Sequence, residues 1–152
     1  MLMSQSLACL PIHLAFSTKN RNHIIADTIR EPLHAYISTV LQNLGCPTIL
    51  INSVEDHVHI LFELARTVSV SKAVEEAKRA SSKWMKTQGP EFADFAWQNG
   101  YGAFAVSQSK VPAVCEYIAS QGEHHRIKSF QEEYRAFLQR HSIAFDERYV
   151  WD

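Results

Sequence analysis

The chain predicts an α+β fold: a split β-α-β (ferredoxin/RRM-like) antiparallel sheet with helices packed on it and extra C-terminal helices. Three observations carry that expectation. Short apolar runs of strand length alternate with longer amphipathic runs in the order β-α-β-β-α-β-α-α. Only Glu55-Asp56 separates the second and third short runs, a join that suits a hairpin. Strong stop signals, Gly45 and Gly89-Pro90, fall where a helical period ends.

Residues 10–18 alternate loosely and predict an internal strand. Asp27 can cap a helix running to about Leu44, with Ile29, Leu33, Tyr36, Ile37, Val40 and Leu44 as its buried stripe. Pro32 argues for a start nearer Arg30 or Glu31. Strands follow at 47–54 and 57–64. Ser69 or Ser71 caps a second helix that reaches about Thr87. Residues 97–107 predict a fourth strand with a bend at Asn99-Gly100 inside it. A third helix spans Val111 to Gly122, with Pro112 in its first turn. The last runs from Ser129 to about His141, with Ser129 and Glu132 as a capping box.

The 152 residues suit one domain, residues 1–152, large enough for a real core. Hydrophobic content of 46% and charged content of 20% exclude a disordered chain. The net charge of −1 excludes a global polycation, so any nucleic-acid binding must rest on a local basic face. Cys9, Cys46 and Cys115 form no C-x-x-C pair and read as reduced thiols of a cytoplasmic protein. No apolar run approaches the ~20 residues of a membrane span, and the N-terminal residues lack a secretion signal.

His57 and His59 stand two apart in Val54-Glu55-Asp56-His57-Val58-His59-Ile60-Leu61-Phe62. On a strand both imidazoles project to one face while Val58, Ile60 and Phe62 enter the core. Two imidazoles on one rigid element are half of a divalent metal site. An ordinary polar strand face would present the same pattern, with Leu61 and Glu63 sharing it. Glu63 reads as a surface carboxylate. On the third helix Tyr117 falls at the margin of the apolar cluster Val111, Val114, Cys115 and Ile118, and Gln121 lies one turn on. Such a tyrosine can straddle a core boundary or serve as a nucleophile. A phenol of pKa near 10 attacks a phosphodiester when a cation offsets the developing charge. Two imidazoles with an amide oxygen such as that of Gln121 leave positions open for phosphate, and the mixed N/O set suits Mg²⁺ or Mn²⁺. The residues point to a metal-assisted phosphodiester enzyme.

Lys72, Arg79, Lys83 and Lys86 project within roughly 60° of one another on the second helix, a face able to contact phosphates. Val70, Ala73, Ala77, Ala80 and Trp84 form its apolar stripe. Lys19 and Arg21 follow the first strand, and His124, His125, Arg126 and Lys128 follow Tyr117. Trp97, Tyr101 and Phe104 serve either as base-stacking platforms or as core.

From Ile12 to Leu138 the chain resembles the HUH-type single-tyrosine transposases of bacterial and archaeal insertion sequences (TnpA-like). The resemblance is carried by Phe16-Ser17-Thr18-Lys19-Asn20-Arg21, His57-Val58-His59-Ile60-Leu61, Trp97-Gln98-Asn99-Gly100-Tyr101-Gly102-Ala103-Phe104, Tyr117-Ile118-Ala119-Ser120-Gln121 and His124-His125. It implies that His57 and His59 are metal ligands, Gln121 the third ligand and Tyr117 the nucleophile. The implied reaction cleaves and rejoins single-stranded DNA at element ends through a 5′-phosphotyrosine. The implied partners are hairpin-bearing DNA ends and a second copy of the chain, with Tyr117 acting in its own subunit or its neighbour's. A non-catalytic single-strand-binding sheet and a metal phosphodiesterase using water are the competing readings.

Overall fold

Four strands pair antiparallel in the order β2-β3-β1-β4, namely β1 (Pro11–Ser17), β2 (Thr48–Ser53), β3 (His57–Glu63) and β4 (Gly102–Ala105). The computed structural model describes residues 4–152, the side chains of residues 124–126 excepted. The helices are α1 (Asp27–Asn43), α2 (Val70–Lys86), α3 (Val111–Ala119), α4 (Gln121–Ile127) and α5 (Phe130–Arg140). This is the predicted split β-α-β order with helices added at its end.

Period two divides the central strands cleanly. Ile12, Leu14 and Phe16 of β1 and Val58, Ile60 and Phe62 of β3 enter one core, closed by Leu33 and Ile37 of α1 and Ala73, Ala77 and Met85 of α2. Burying a side chain such as Ile60 or Phe62 contributes about 1.5–3 kcal/mol. A slip of one residue would exchange those side chains for imidazoles, so the register Pro11↔Glu63 to Ser17↔His57 is strongly held. The opposite face, carrying His13, Ala15, His57 and His59, is covered as well. There Phe130, Tyr134, Phe137 and Leu138 of α5 pack with Ala15 and Phe104 in a second cluster.

Gly102 explains how closely α5 approaches. A Cβ at that position would collide with the ring of Tyr134, so only glycine admits the helix here. α5 opens as expected, Ser129 accepting from the backbone N–H of Glu132 and bonding its carboxylate.

Several boundaries differ from expectation. α1 begins at Asp27 with Pro32 inside it, because Pro32 and Thr28 are both exposed while Ile29 anchors the first turn in the core. Gly45 (φ +77°) ends it as predicted, with Gly45 N–H donating to Gln42 and Cys46 N–H to Leu41. Ser69 caps α2, whose buried positions are Ala73, Val74, Ala77, Ser81 and Met85, a stripe rotated from the predicted one. β4 is only four residues long. Residues 98–100 leave the ladder because the Lys78 ammonium gathers their carbonyls, at 2.7, 3.2 and 2.6 Å. The expected single helix 111–122 breaks at Ser120 (φ −95°, ψ 17°) into α3 and α4.

His34 yields a pH test. Burial, with Arg30 nearby, holds its imidazole down to about 4 while Nε2 bonds Ser53 Oγ at 2.7 Å. The unfolded chain takes up that proton first, so stability complete above pH 6.5 is lost as pH falls towards 4, on the order of 1 kcal/mol for this half-exposed group. His34→Gln should therefore lose melting temperature less steeply over pH 6.5–4 than the parent. Parallel curves in a thermal scan would contradict the assignment.

Candidate metal and tyrosine site

β3 delivers both imidazoles to the face beneath α5, and each is fully buried. Each ring is also held from behind. His57 Nδ1 donates to Asp56 Oδ1 at 2.7 Å, which turns Nε2 towards Gln121 Oε1 at 3.0 Å. His59 Nδ1 meets His13 Nε2 at 2.8 Å, which turns its own Nε2 towards Glu133 Oε1 at 2.6 Å. Burial first, then the neighbouring His59, lowers His13 to about 3, so it is the neutral partner of that pair. A second nitrogen anchored in this way fixes the tautomer and ring orientation of a metal-ligating histidine.

His57, His59 and Glu133 offer ligand atoms within 4.8 Å of one another, all three residues buried. The donor chemistry fits a divalent cation. His57 Nε2 and Gln121 Oε1 face each other at 3.0 Å, a ring nitrogen and an amide oxygen of the kinds that ligate divalent cations. Two imidazoles, a carboxylate and an amide oxygen form a mixed N/O set of the kind that suits Mg²⁺ or Mn²⁺.

Tyr117 reaches this cluster from α3. Its ring lies 5.8 Å from that of His59 and 5.5 Å edge-on to Phe137. Glu133 and Gln121 lie close enough to its hydroxyl for both to bear on its acidity. Burial, then the Glu133 charge, pushes the phenol well above its ordinary range, so it is protonated at neutral pH. Burial alone would raise Glu133, but the bond and charge of His59 outweigh it and bring the carboxylate down to about 2. The break at Ser120 keeps Gln121 beside Tyr117 although they sit on different helices.

Glu133 and His13 are the residues that sequence reasoning missed. A signal for Glu133 was present: it lies among Phe130, Tyr134, Phe137 and Leu138, a carboxylate within the apolar stripe of α5. Glu63, on the same strand face as the imidazoles, instead accepts from Leu10 N–H at 2.7 Å.

The predicted basic residues scatter. Lys128 lines a cleft beside Tyr117. Lys19 and Arg21 lie past the end of β1, where Asn20 and Arg21 both take left-handed backbone (φ 57° and 56°) and Arg21 stands over Trp151. Lys72 and Arg79 share Glu76, and Lys86 bonds Ser82 and the Phe95 carbonyl. They and Lys83 belong to α2, across the sheet from the imidazoles. Arg126, with His124 and His125, lies outside the described residues. Trp97 is core, edge-on to Phe16 and Phe95 at 4.8 Å, with its Nε1 donating to Ser81.

A split β-α-β sheet bearing a buried His-x-His pair, a carboxylate and an adjoining tyrosine defines the class. Residues 6–121 match the family described as Transposase IS200 like, and the chain belongs to that family. It is 23% identical over 117 residues to the ISDra2 transposase TnpA of Deinococcus radiodurans, covering 74% of this chain and 84% of the relative. Two solved structures share its fold. One, from D. radiodurans R1 and assigned as a transposase, has a TM-score of 0.62 at 21% identity, covering 80% of this chain and 98% of the other. The second, a REP-associated tyrosine transposase bound to a REP hairpin, has a TM-score of 0.60 at 16% identity, covering 81% and 74%. No described helix is long and apolar enough to cross a membrane.

Asn52 of β2 holds α3 in place, its amide donating to the carbonyls of Ile118 at 2.9 Å and Ala119 at 3.4 Å. Asn52→Ala should cost about 1–2 kcal/mol and speed amide exchange at residues 118–121. Unchanged exchange there would show that α3 is held by packing alone.

Proposed function

We propose that the chain is a single-domain transposase that cleaves and rejoins single-stranded DNA at insertion-sequence ends through a 5′-phosphotyrosine. Its convergence of Tyr117 on the His57–His59 pair, within one buried cluster, carries this reading. Family membership supports the DNA substrate. A hairpin-bearing end is the proposed partner, on the precedent of the hairpin-bound relative, and a homodimer is the proposed working form.

His57, His59, Gln121 and Glu133 would hold Mg²⁺ or Mn²⁺, which when bound supplies positive charge to the non-bridging oxygens of the phosphate. Tyr117 Oη forms the new O–P bond as the P–O3′ bond breaks. The phenol gives up its proton to solvent as the O–P bond forms, and the departing 3′-oxygen gains one from solvent. The phosphotyrosine conserves the phosphoester bond, so a new 3′-hydroxyl can reverse the step at another junction. Lys19, Arg21 and Lys128 are the proposed phosphate contacts on the tyrosine side, and Arg126 is a further proposed contact from its place in the sequence. Lys72, Arg79, Lys83 and Lys86 form a second surface for the duplex stem.

Incubation with hairpin-bearing single-stranded DNA and Mg²⁺ should give a denaturation-resistant adduct that Tyr117→Phe eliminates. His57→Ala should abolish the adduct while sparing hairpin binding. Cleavage without an adduct would favour attack by water, and binding alone a non-catalytic module. Separately, Asp56→Asn should weaken Mn²⁺ binding by about 10–100-fold in calorimetry, through loss of the hold on His57. Equal affinity in that variant would show that Asp56 does not set the hold on His57.

A further inference from the structure

Two unequal clefts meet at Tyr117. The larger, of about 650 Å³, lies between β4, α3 and the end of α5, and is lined by Phe104, Lys110, Ala113, Phe137, Arg140 and His141 among others. The smaller, of about 290 Å³, opens on the other side and is lined by Lys128 and Glu133. Tyr117, Phe137 and Arg140 border both, so they form the ridge between the clefts. The Arg140 guanidinium stands 5.4 Å over the Phe137 ring, and its charge is felt at Tyr117.

The walls of the larger cleft suit a nucleobase. His141 stacks on Phe104 at 4.7 Å and 27°, presenting a flat aromatic surface. Its volume falls within the roughly 300–1,000 Å³ of small-molecule sites. One unpaired nucleotide belongs to that size class of ligand. The smaller cleft, at the lower end of that range, suits a sugar-phosphate. Lys110 and Arg140 beside the larger cleft and Lys128 beside the smaller complement a polyanion.

We infer that the larger cleft seats one unpaired nucleotide adjoining the scissile phosphate, and that Arg140 grips that phosphate on the ridge. This rests on the transposase reading for the identity of the strand, but the cleft can be tested without chemistry. A guanidinium is suited to the task because its fixed fork can engage two phosphate oxygens while its face stays on Phe137.

The test is fluorescence anisotropy of the full chain in EDTA, with 5′-fluorescein-labelled dT8 and an abasic octamer of equal charge. The parent should bind dT8 at least fivefold more tightly than the abasic strand, since base stacking on aromatic walls is sequence-tolerant. Ala113→Trp, at an exposed position that fills the cleft, should erase that preference. Arg140→Ala should weaken both strands about tenfold, and Arg140→Lys should restore part of the loss. Equal binding of the two strands by the parent, or dT8 affinity unchanged in both Ala113→Trp and Arg140→Ala, overturns the inference. A missing adduct with these binding differences intact would sink the phosphotyrosine chemistry and leave the nucleotide seat standing.

Discussion

The anchoring of the two Nδ1 atoms governs the site. Without Asp56 behind His57 and His13 behind His59, each buried ring could turn its Nε2 away from the cluster. Those anchors exist because β1 and β3 are locked in register by Leu14, Phe16, Val58, Ile60 and Phe62 on the far face. Core packing on one side of the sheet therefore sets ligand geometry on the other. α5 completes the arrangement by bringing Glu133 over the imidazoles, at a distance that glycine at position 102 permits.

The legible part of this fold was the local part. Two-residue alternation in β3 assigned His57 and His59 to one face, and the glycine at 45 ended α1 through a backbone conformation that few other residues favour. Gln121 was found as well, although its helix breaks one residue earlier, because the carbonyl of Asn52's partners, not helical phase, sets where α3 ends. What lay beyond local pattern was the closure of α5 on the sheet. Glu133 and His59 are separated by about half of the chain, and no period links them. The shortened β4 has the same origin: Lys78, on a distant helix, draws three consecutive carbonyls out of the ladder. Yet a carboxylate among the aromatic residues of an amphipathic helix is itself informative, since burying it demands a partner.

The attachment of α3 and α4 bears on how a dimer could share its sites. Ile118 is fully buried and the Gln121 amide is too, so lifting these helices from their own sheet would cost several kcal/mol by the burial of Ile118 and the Asn52 bonds together. An identical copy offers the same Asn52 and the same imidazoles. Exchange between two copies therefore restores each contact it breaks, and the net cost falls on the connecting segments. Two segments would have to change course in such an exchange, the 3-10 turn Gln108–Lys110, which has no buried residue, and the Lys128–Ser129 link between α4 and α5.

Charge placement follows a related economy. A chain with net charge −1 has no global excess of cations with which to displace counterions, so any hold on DNA must rest on local basic faces. On α2, Glu76 offsets Lys72 and Arg79, which lowers the field of that face. Around Tyr117 the balance differs: Lys110, Lys128 and Arg140 border the clefts, and the acidic group facing them, Glu133, is engaged by His59 and the phenol. Positive charge thus borders the two clefts that meet at Tyr117. An enzyme so arranged would favour an unpaired strand over paired DNA, because the attracting cations line openings in the size class of one nucleotide.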